Sequence, residues 1–322
     1  MNRQVTGCLA VIALVMFGVA AHAQEWPTKP VKMIVPLPAG TAPDITMRLM
    51  GDRLSKLWGQ QVVVENRPGA SGAIGMQAVA RAAADGYTFV FSSAFVFTLT
   101  PHLMKTPGFD LDRDFVPVAR VAGTPMLLAA NPQFAANNLS DVIQLAKSQA
   151  DKINVSNPQY ASIPHLFVEM LNQQTGIRLY NVPFSGTTPA MTAAINGDVQ
   201  LVVDGIAPLL PYVRSGRLKA IAMAAPQPLA GLDGIPLANA TIPGFNIMGW
   251  FGILARKGTS DVVIQRVNAD VNKALAVPEI TDRLREIGTY PMPGTVKEFA
   301  AFLGEERSRW AKAVKDAGIE AQ

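Results

Sequence analysis

From residue 31 onward, short apolar runs alternate with stretches of helical period, and nothing else in the chain restricts its fold as much. Val31–Val35 reads as a first strand. A helix follows from about Asp44, with Met47, Met50, Leu54, Leu57 and Trp58 on one face and Gly59 as its stop. Val62–Glu65, a short Ala-rich helix opened by Gly72, the Asp85-Gly86 turn and Tyr87–Phe91 complete a β-α-β-α-β series. Strands linked through helices pair in parallel and are covered on both faces. The rhythm restarts at Met126–Ala130 and runs on through Ile153–Ser156, Leu179–Val182, Gln200–Val203 and Leu218–Met223, with helices between them. Ser140 suits a helix cap, Thr188-Pro189 a helix start, and Gly197 and Gly216 helix stops.

Residues 225–247, rich in Pro, Gly and Ala and without a period, read as a crossing segment. Trp250–Leu254 is a further strand, and three helices close the chain. The first carries Val263, Val267, Val271 and Leu275 at four-residue spacing. The last opens with a capping box, Thr295-x-x-Glu298, and turns Phe299, Phe302, Leu303, Trp310 and Val314 inward. Two α/β blocks and a helical tail imply two sheets with a cleft between them. Periodicity alone does not say on which block the tail packs.

The 322 residues suffice for about two domains. With 49% hydrophobic and 16% charged residues the chain can bury cores, which excludes a disordered class. Only the N-terminus raises a membrane question. Arg3, the apolar run Leu9–Ala20 and the small-x-small triplet Ala21-His22-Ala23 read as a secretory signal peptide, residues 1–23, with an anchor helix as the alternative. Cys8, the single cysteine, precedes the apolar run and leaves with it, so the mature chain has no thiol, disulfide or thiolate metal site. Loss of Arg3 takes the formal charge from +4 to +3. The basic residues are scattered without an aromatic-basic stripe, so no nucleic-acid partner is expected.

Ligands of open α/β sheets sit at the carboxyl ends of strands, where helix N-termini favour anions. Several loops of that kind are rich in small and hydroxyl residues. Pro36-Leu37-Pro38-Ala39-Gly40-Thr41-Ala42-Pro43-Asp44 leaves a strand and enters a helix that Asp44 can cap; a rigid β-α turn is the plain alternative. Asn66–Gly75 has the place of a phosphate loop but matches neither G-x-G-x-x-G nor the Walker pattern. Ser92-Ser93 ends a strand, and Pro183-Phe184-Ser185-Gly186-Thr187-Thr188-Pro189 joins another to a helix. Ser156–Ser162 brings Asn157, Gln159 and Tyr160, and Asp204 follows a strand either as a turn former or as a contact. Catalysis finds no support: Pro183 stands where a nucleophile elbow needs glycine, His102 and His165 fall in no metal-ligand spacing, and no carboxylate pair stands out. No catalytic residue, metal or cofactor is therefore expected.

In these loops the chain resembles the periplasmic solute-binding proteins of tripartite tricarboxylate transporters, the Bordetella-uptake-gene or TctC-like type. The carrying motifs are Lys32–Gly40 with Asp44; Gly59–Gly72 with Gly75, followed by Asp85-Gly86-Tyr87-Thr88; Val182–Thr187 with Pro189-Ala190; Asn196-Gly197-Asp198-Val199 with Asp204; Gly216–Ala220; and Trp250–Leu254. They run in family order through essentially the whole mature chain.

The resemblance implies an α/β, type II periplasmic-binding-protein fold, two α/β domains closing on a ligand, with crossings near Val121–Pro125 and Pro243–Gly249. Domain I would be residues 24–123 plus 249–322, and domain II residues 124–248. It further implies an exported, periplasmic, non-enzymatic receptor, a monomer by default, that hands a small carboxylate, aromatic or dicarboxylic among the options, to membrane permease subunits. A sensor that signals to a membrane kinase is the alternative. The implied contacts are Leu37, Pro38, Ala39, Gly40, Thr41, Asp44, Ser92, Ser93, Tyr160, Phe184, Ser185, Gly186, Thr187, Thr188 and Asp204. One departure stands out: Gly40-Thr41 replaces the family's Gly-Gly pair, and threonine is less free than glycine in backbone shape. Phe95 and Phe97, just past Ser92-Ser93, either line an apolar subsite for an aromatic acid or belong to helix core.

Overall fold

The computed structural model describes residues 26–149 and 152–321, so the expected signal peptide lies outside the described residues. β1 (Val31–Val35), β2 (Val62–Asn66) and β3 (Thr88–Ser93) pair in parallel with β1 central. Alternate residues of β1 go to opposite cores, as period two demands. Val31, Met33 and Val35 meet α1 (Ala42–Trp58) through Met47, Met50 and Leu54, whereas Ile34 meets α2 (Ala73–Ala80) through Ala73 and Met76.

The main departure from the sequence reading is β4 (Phe115–Ala130), expected only from Met126. Pro117 disguised its first half, since proline cannot donate to a ladder and is tolerated only at edges and bulges. Here the register with β9 (Met248–Arg256) shifts between Pro117 and Ala119, which supplies that bulge. β4 serves two sheets. Its Phe115–Pro125 part lies between β9 and the two-residue β10 (Tyr290–Pro291), and its Met126–Ala130 part between β7 (Leu201–Gly205) and β8 (Lys219–Ala224), all antiparallel to it. The first sheet continues from β9 through β3 and β1 to β2; the second continues from β7 through β5 (Asn154–Asn157) to β6 (Tyr180–Pro183).

Directions follow from these pairings. β9 is antiparallel to both β3 and β4, so β4 runs with β1–β3; β7 and its parallel partner strands run against it. The carboxyl ends of β1–β3 therefore point toward those of β5–β7 along the β4 axis, with β9 on one edge of β4 and β7 on the other. Helices α3 (Leu139–Ser148), α4 (Ile163–Thr175), α5 (Thr187–Asn196) and α6 (Ile206–Arg214) cover the second sheet.

The tail comprises α7 (Asp261–Leu275), α8 (Pro278–Glu286) and α9 (Val296–Asp316). α7 packs Val267 and Val271 into the α1 core. α9, opened by the expected capping box, packs Phe299 and Trp310 beside Trp250 on the other face. The carboxylate of buried Glu306 accepts both indole N–H groups, Trp250 at 2.8 Å and Trp310 at 2.9 Å, and pairs with Arg309 at 2.9 Å. α9 also reaches the second sheet's helices, where Gln173 donates to Asp316 at 2.9 Å.

Candidate functional site

The loop after β1 is built around one buried carboxylate. Gly40 takes φ 80°, which glycine tolerates without strain. Thr41 sits at φ −75°, ψ 158°, ordinary extended backbone, so threonine in place of the family's glycine fits there without strain. Its hydroxyl donates to Pro38 O at 2.8 Å and closes the loop on itself. Thr41, rather than Asp44, occupies the cap position of α1. Asp44 lies in the first turn of the helix, and its carboxylate accepts from the Gly40 amide at 2.8 Å, Asn66 Nδ2 at 2.9 Å and Arg48 Nε at 3.0 Å. Burial alone would raise its pKa, but the Arg48, Gly40 and Asn66 donors outweigh burial and hold it below the ordinary carboxylate value. Asn66 also donates to Leu37 O at 3.1 Å, so β2 and the first loop are locked together. Pro38, Ala39 and Gly40 are exposed; Leu37 is half-buried.

Beside this loop, Gly75 lets α2 touch it: a Cβ there would stand 2.5 Å from Pro36 Cβ and 3.0 Å from Arg67 O. Ser92 is fully buried and its hydroxyl has no partner, while Ser93 is half-buried. The aromatic subsite expected from Phe95 and Phe97 finds no support at Phe97, whose ring is wholly buried and stacked 5.8 Å from Trp250. Phe95 is half-buried against the same core.

At the facing strand ends three loops are tied into one piece. The Phe184 amide donates to Asn157 O at 2.9 Å and the Gly186 amide to Pro158 O at 2.8 Å. Asn157 Nδ2 donates to Asn181 at 2.6 Å. Gly186, at φ 128°, turns the chain into α5, and Thr187 in the first turn donates its hydroxyl to Asp204 Oδ2 at 2.8 Å. The Gly205 amide donates to Asp204 Oδ1 at 2.7 Å. No cation partners Asp204 among the described ion pairs; burial raises its pKa, only partly offset by these two donors. Ser185 and Thr188 are exposed, Phe184 half-buried. Tyr160 is half exposed, with its ring 4.8 Å from that of buried His165.

The implied contacts thus form two clusters, one per sheet: Leu37–Asp44 with Ser92 and Ser93, and Tyr160 with Phe184–Thr188 and Asp204. No hydrogen bond among the described residues joins one cluster to the other. In both, a threonine proton is engaged within its own cluster, which leaves backbone amides of the first helical turn as donors. The first amides of a helix have no intrahelical acceptor. Sequence reasoning missed the side chains that brace the loops: Arg48, Asn66 in its clamp role, Asn181 and His165. The Asp44/Arg48 spacing of i,i+4 was the one legible signal. Ala70 (φ 47°), Ser71 (φ 52°) and Ala161 (φ 58°) also lie in these loops, the described non-glycine residues with left-handed backbone. Strain of this kind gathers at binding sites.

Residues 46–319 match the family described as "Tripartite tricarboxylate transporter family receptor". A UPF0065 protein of Bordetella bronchiseptica is 33% identical over 312 residues, 97% of this chain and 92% of the relative. Protein BugT of Bordetella pertussis is 31% identical over 321 residues, 98% of each. Among solved structures, Rpa4515 of R. palustris with adipate superposes with TM-score 0.76 at 30% identity, covering 92% of this chain and 100% of that one. MatC of Rhodopseudomonas palustris with bound malate gives 0.70 at 31% identity, covering 90% and 100%.

Proposed function

The chain belongs to the receptor family of tripartite tricarboxylate transporters, a family of solute receptors and not of catalysts, and we propose that it captures a small carboxylate between its two loop clusters and delivers it to the membrane permease of such a transporter. The observation that carries the reading is the pair of helix N-termini, α1 and α5, on the facing strand ends. Each presents first-turn amides and a positive dipole end, the combination that binds anions without a dedicated cation. In this reading the two sheets move as lobes, residues 24–123 with 249–322 against 124–248. They hinge where β4 passes from one sheet to the other at Pro125/Met126 and where β9 returns at Met248. The protein acts in the periplasm as a monomer, after removal of residues 1–23.

The ligand grip then divides by chemistry. Amides near Thr41–Asp44 and Thr187–Thr188 hold carboxylate oxygens, the free hydroxyls of Ser93, Ser185 and Thr188 add donors, and Tyr160 covers the site. Asp44 positions the first loop without touching the ligand. Malate and adipate, ligands of the two related structures, are the first probes to try. A thermal-shift screen of residues 24–322 against mono-, di- and tricarboxylates should raise Tm with one class, since a ligand that binds only the native state stabilises by mass action. Shifts with amino acids or sugars alone would overturn the carboxylate assignment and leave the fold untouched.

A further inference from the structure

Beside the hinge lies a second concavity, whose lining shares no residue with the two loop clusters. At the crossing between the sheets, β9 and β8 lie on one edge of β4 and β10 and β7 on the other. There, a cavity of about 480 Å³ is lined by Arg120 of β4, Pro226 just past β8, Met248 of β9, Met292 just past β10, and Phe302 and Arg309 of α9. That volume lies within the usual range of small-molecule sites. The two methionines converge over Gly123, where a Cβ would stand 2.4 Å from Met292 Sδ and 2.8 Å from Met248 Cε. Their flexible thioethers form an apolar wall that can reshape around a guest.

Arg120 is the unusual member. Its guanidinium lies 4.6 Å from the centroid of the Phe302 ring, and Nε makes one long hydrogen bond, 3.4 Å, to Met292 O. No ion pair among the described residues includes it. The neighbouring carboxylates are engaged: Glu298 accepts from Thr295 N at 2.7 Å and Thr295 Oγ1 at 2.9 Å, and Glu306 holds two indoles and Arg309. Burial pushes the Arg120 pKa down, while the fields of Glu298 and Glu306 oppose that shift. A half-buried guanidinium with unused N–H groups beside Met, Pro and Phe side chains asks for a planar anion with an apolar body.

We propose that this hinge-side cavity is a second binding site, distinct from the cleft, for an amphipathic monocarboxylate whose head pairs with Arg120 and whose chain lies along Met248, Met292 and Phe302. Its walls come from both sheets, so its occupant binds one relative setting of the sheets better than another. Occupancy is thereby linked to the cleft, reciprocally.

Methionine-methyl NMR of the mature protein tests this locally, with octanoate as probe. Expected are saturable shifts of the Met248 and Met292 methyls, with a Kd on the order of 1 mM or tighter and little change at core Met33. Arg120→Gln should weaken octanoate about tenfold, the worth of one charge-assisted bidentate contact. Met292→Glu, which sets a carboxylate beside Arg120, should weaken it comparably, so one misfolded variant does not end the test. Inorganic phosphate, charged but without an apolar body, should bind at least about tenfold less tightly. Unmoved Met248 and Met292 methyls would overturn the proposal. So would unchanged affinity in a folded variant, or phosphate matching octanoate. None of these outcomes bears on whether the cleft binds a carboxylate.

Discussion

The loop after β1 and the loop after β6 are built alike and charged differently. Gly40-Thr41-Ala42-Pro43 and Gly186-Thr187-Thr188-Pro189 each turn on a glycine, engage a threonine hydroxyl locally and feed a helix N-terminus. Each is also held by an aspartate. Asp44 has a cation at 3.0 Å and two further donors, and its pKa is lowered. Asp204 has a hydroxyl and an amide but no cation, and its pKa is raised, chiefly by burial. A neutralised carboxylate makes a fixed support. An uncompensated one beside the proposed anion site would make that site proton-dependent.

The largest effect should come from breaking the fixed support. Asp44→Ala leaves the Gly40 amide without its acceptor, takes one of two acceptors from Asn66 Nδ2 and leaves Arg48 only its bond to Asn66 Oδ1. The expected loss is about 2–3 kcal/mol, below the value for a fully buried pair because Arg48 is half exposed. Urea unfolding would measure it. A variant within about 0.5 kcal/mol of the parent would show that the loop holds without its carboxylate.

Asp204 should respond in the opposite sense. Ionised Asp204 repels a bound carboxylate, so binding should draw a proton onto it, and affinity should rise as pH falls toward its elevated pKa. The same sign governs stability. A carboxyl whose folded pKa is raised stays protonated where the unfolded chain has already lost the proton. Native stability therefore falls as pH rises from the ordinary Asp value through the folded one. Asp204→Asn should bind the cleft ligand more tightly at neutral pH, by about tenfold, and abolish the proton uptake. Calorimetry in two buffers of different ionisation enthalpy reads both. Tenfold weaker binding would instead mean that Asp204 accepts a hydrogen bond from the ligand.

The threonines sharpen the comparison at smaller scale. Thr187→Val removes one of the two donors that favour ionised Asp204, so the carboxyl protonates more readily and ligand binding should tighten at neutral pH, by about fivefold at most, near 1 kcal/mol. Thr41→Val removes a bond to an exposed carbonyl and should instead weaken binding, by about half as many kcal/mol. Weakening by both variants in paired titrations would mean that the charge difference between the loops does not reach the ligand.

The sequence showed the parts of this contrast unevenly. Strand ends, glycine turns and helix starts are local and periodic, so both loops were legible from Val31–Val35 and Leu179–Val182 onward. The bracing was not, because Asn66 reaches Asp44 across 22 positions and Asn157 reaches Asn181 across 24, separations that periodicity does not register. The partners of Asp44 were hidden for the same reason: what occupies a carboxylate is a fact of three dimensions. Whether Phe97 belonged to a subsite or to helix core stayed open because its stacking partner, Trp250, lies far along the chain. β4 was half hidden by Pro117, where a local rule against strand met a bulge that only the partner strand reveals.

The smallest expected effect concerns the histidine under the second cluster; the first cluster contains none. Tyr160 rests on His165, a buried ring whose Nδ1 has no partner. Burial lowers its pKa, and Glu169, 4.0 Å from Nε2, offsets this only in part. Asn181, which bonds both the His165 carbonyl and Glu169, is the other polar neighbour and carries no charge. The neutral ring is favoured in the fold while the unfolded chain takes up a proton near pH 6.5, so native stability should fall as pH drops through that value, by about 1 kcal/mol or less. His165→Phe keeps a ring under Tyr160 and should flatten the Tm profile between about pH 7 and pH 5, with little change at pH 8. A profile that keeps its slope would place the acid sensitivity elsewhere. Asp204 cannot supply it, because its linkage runs the other way.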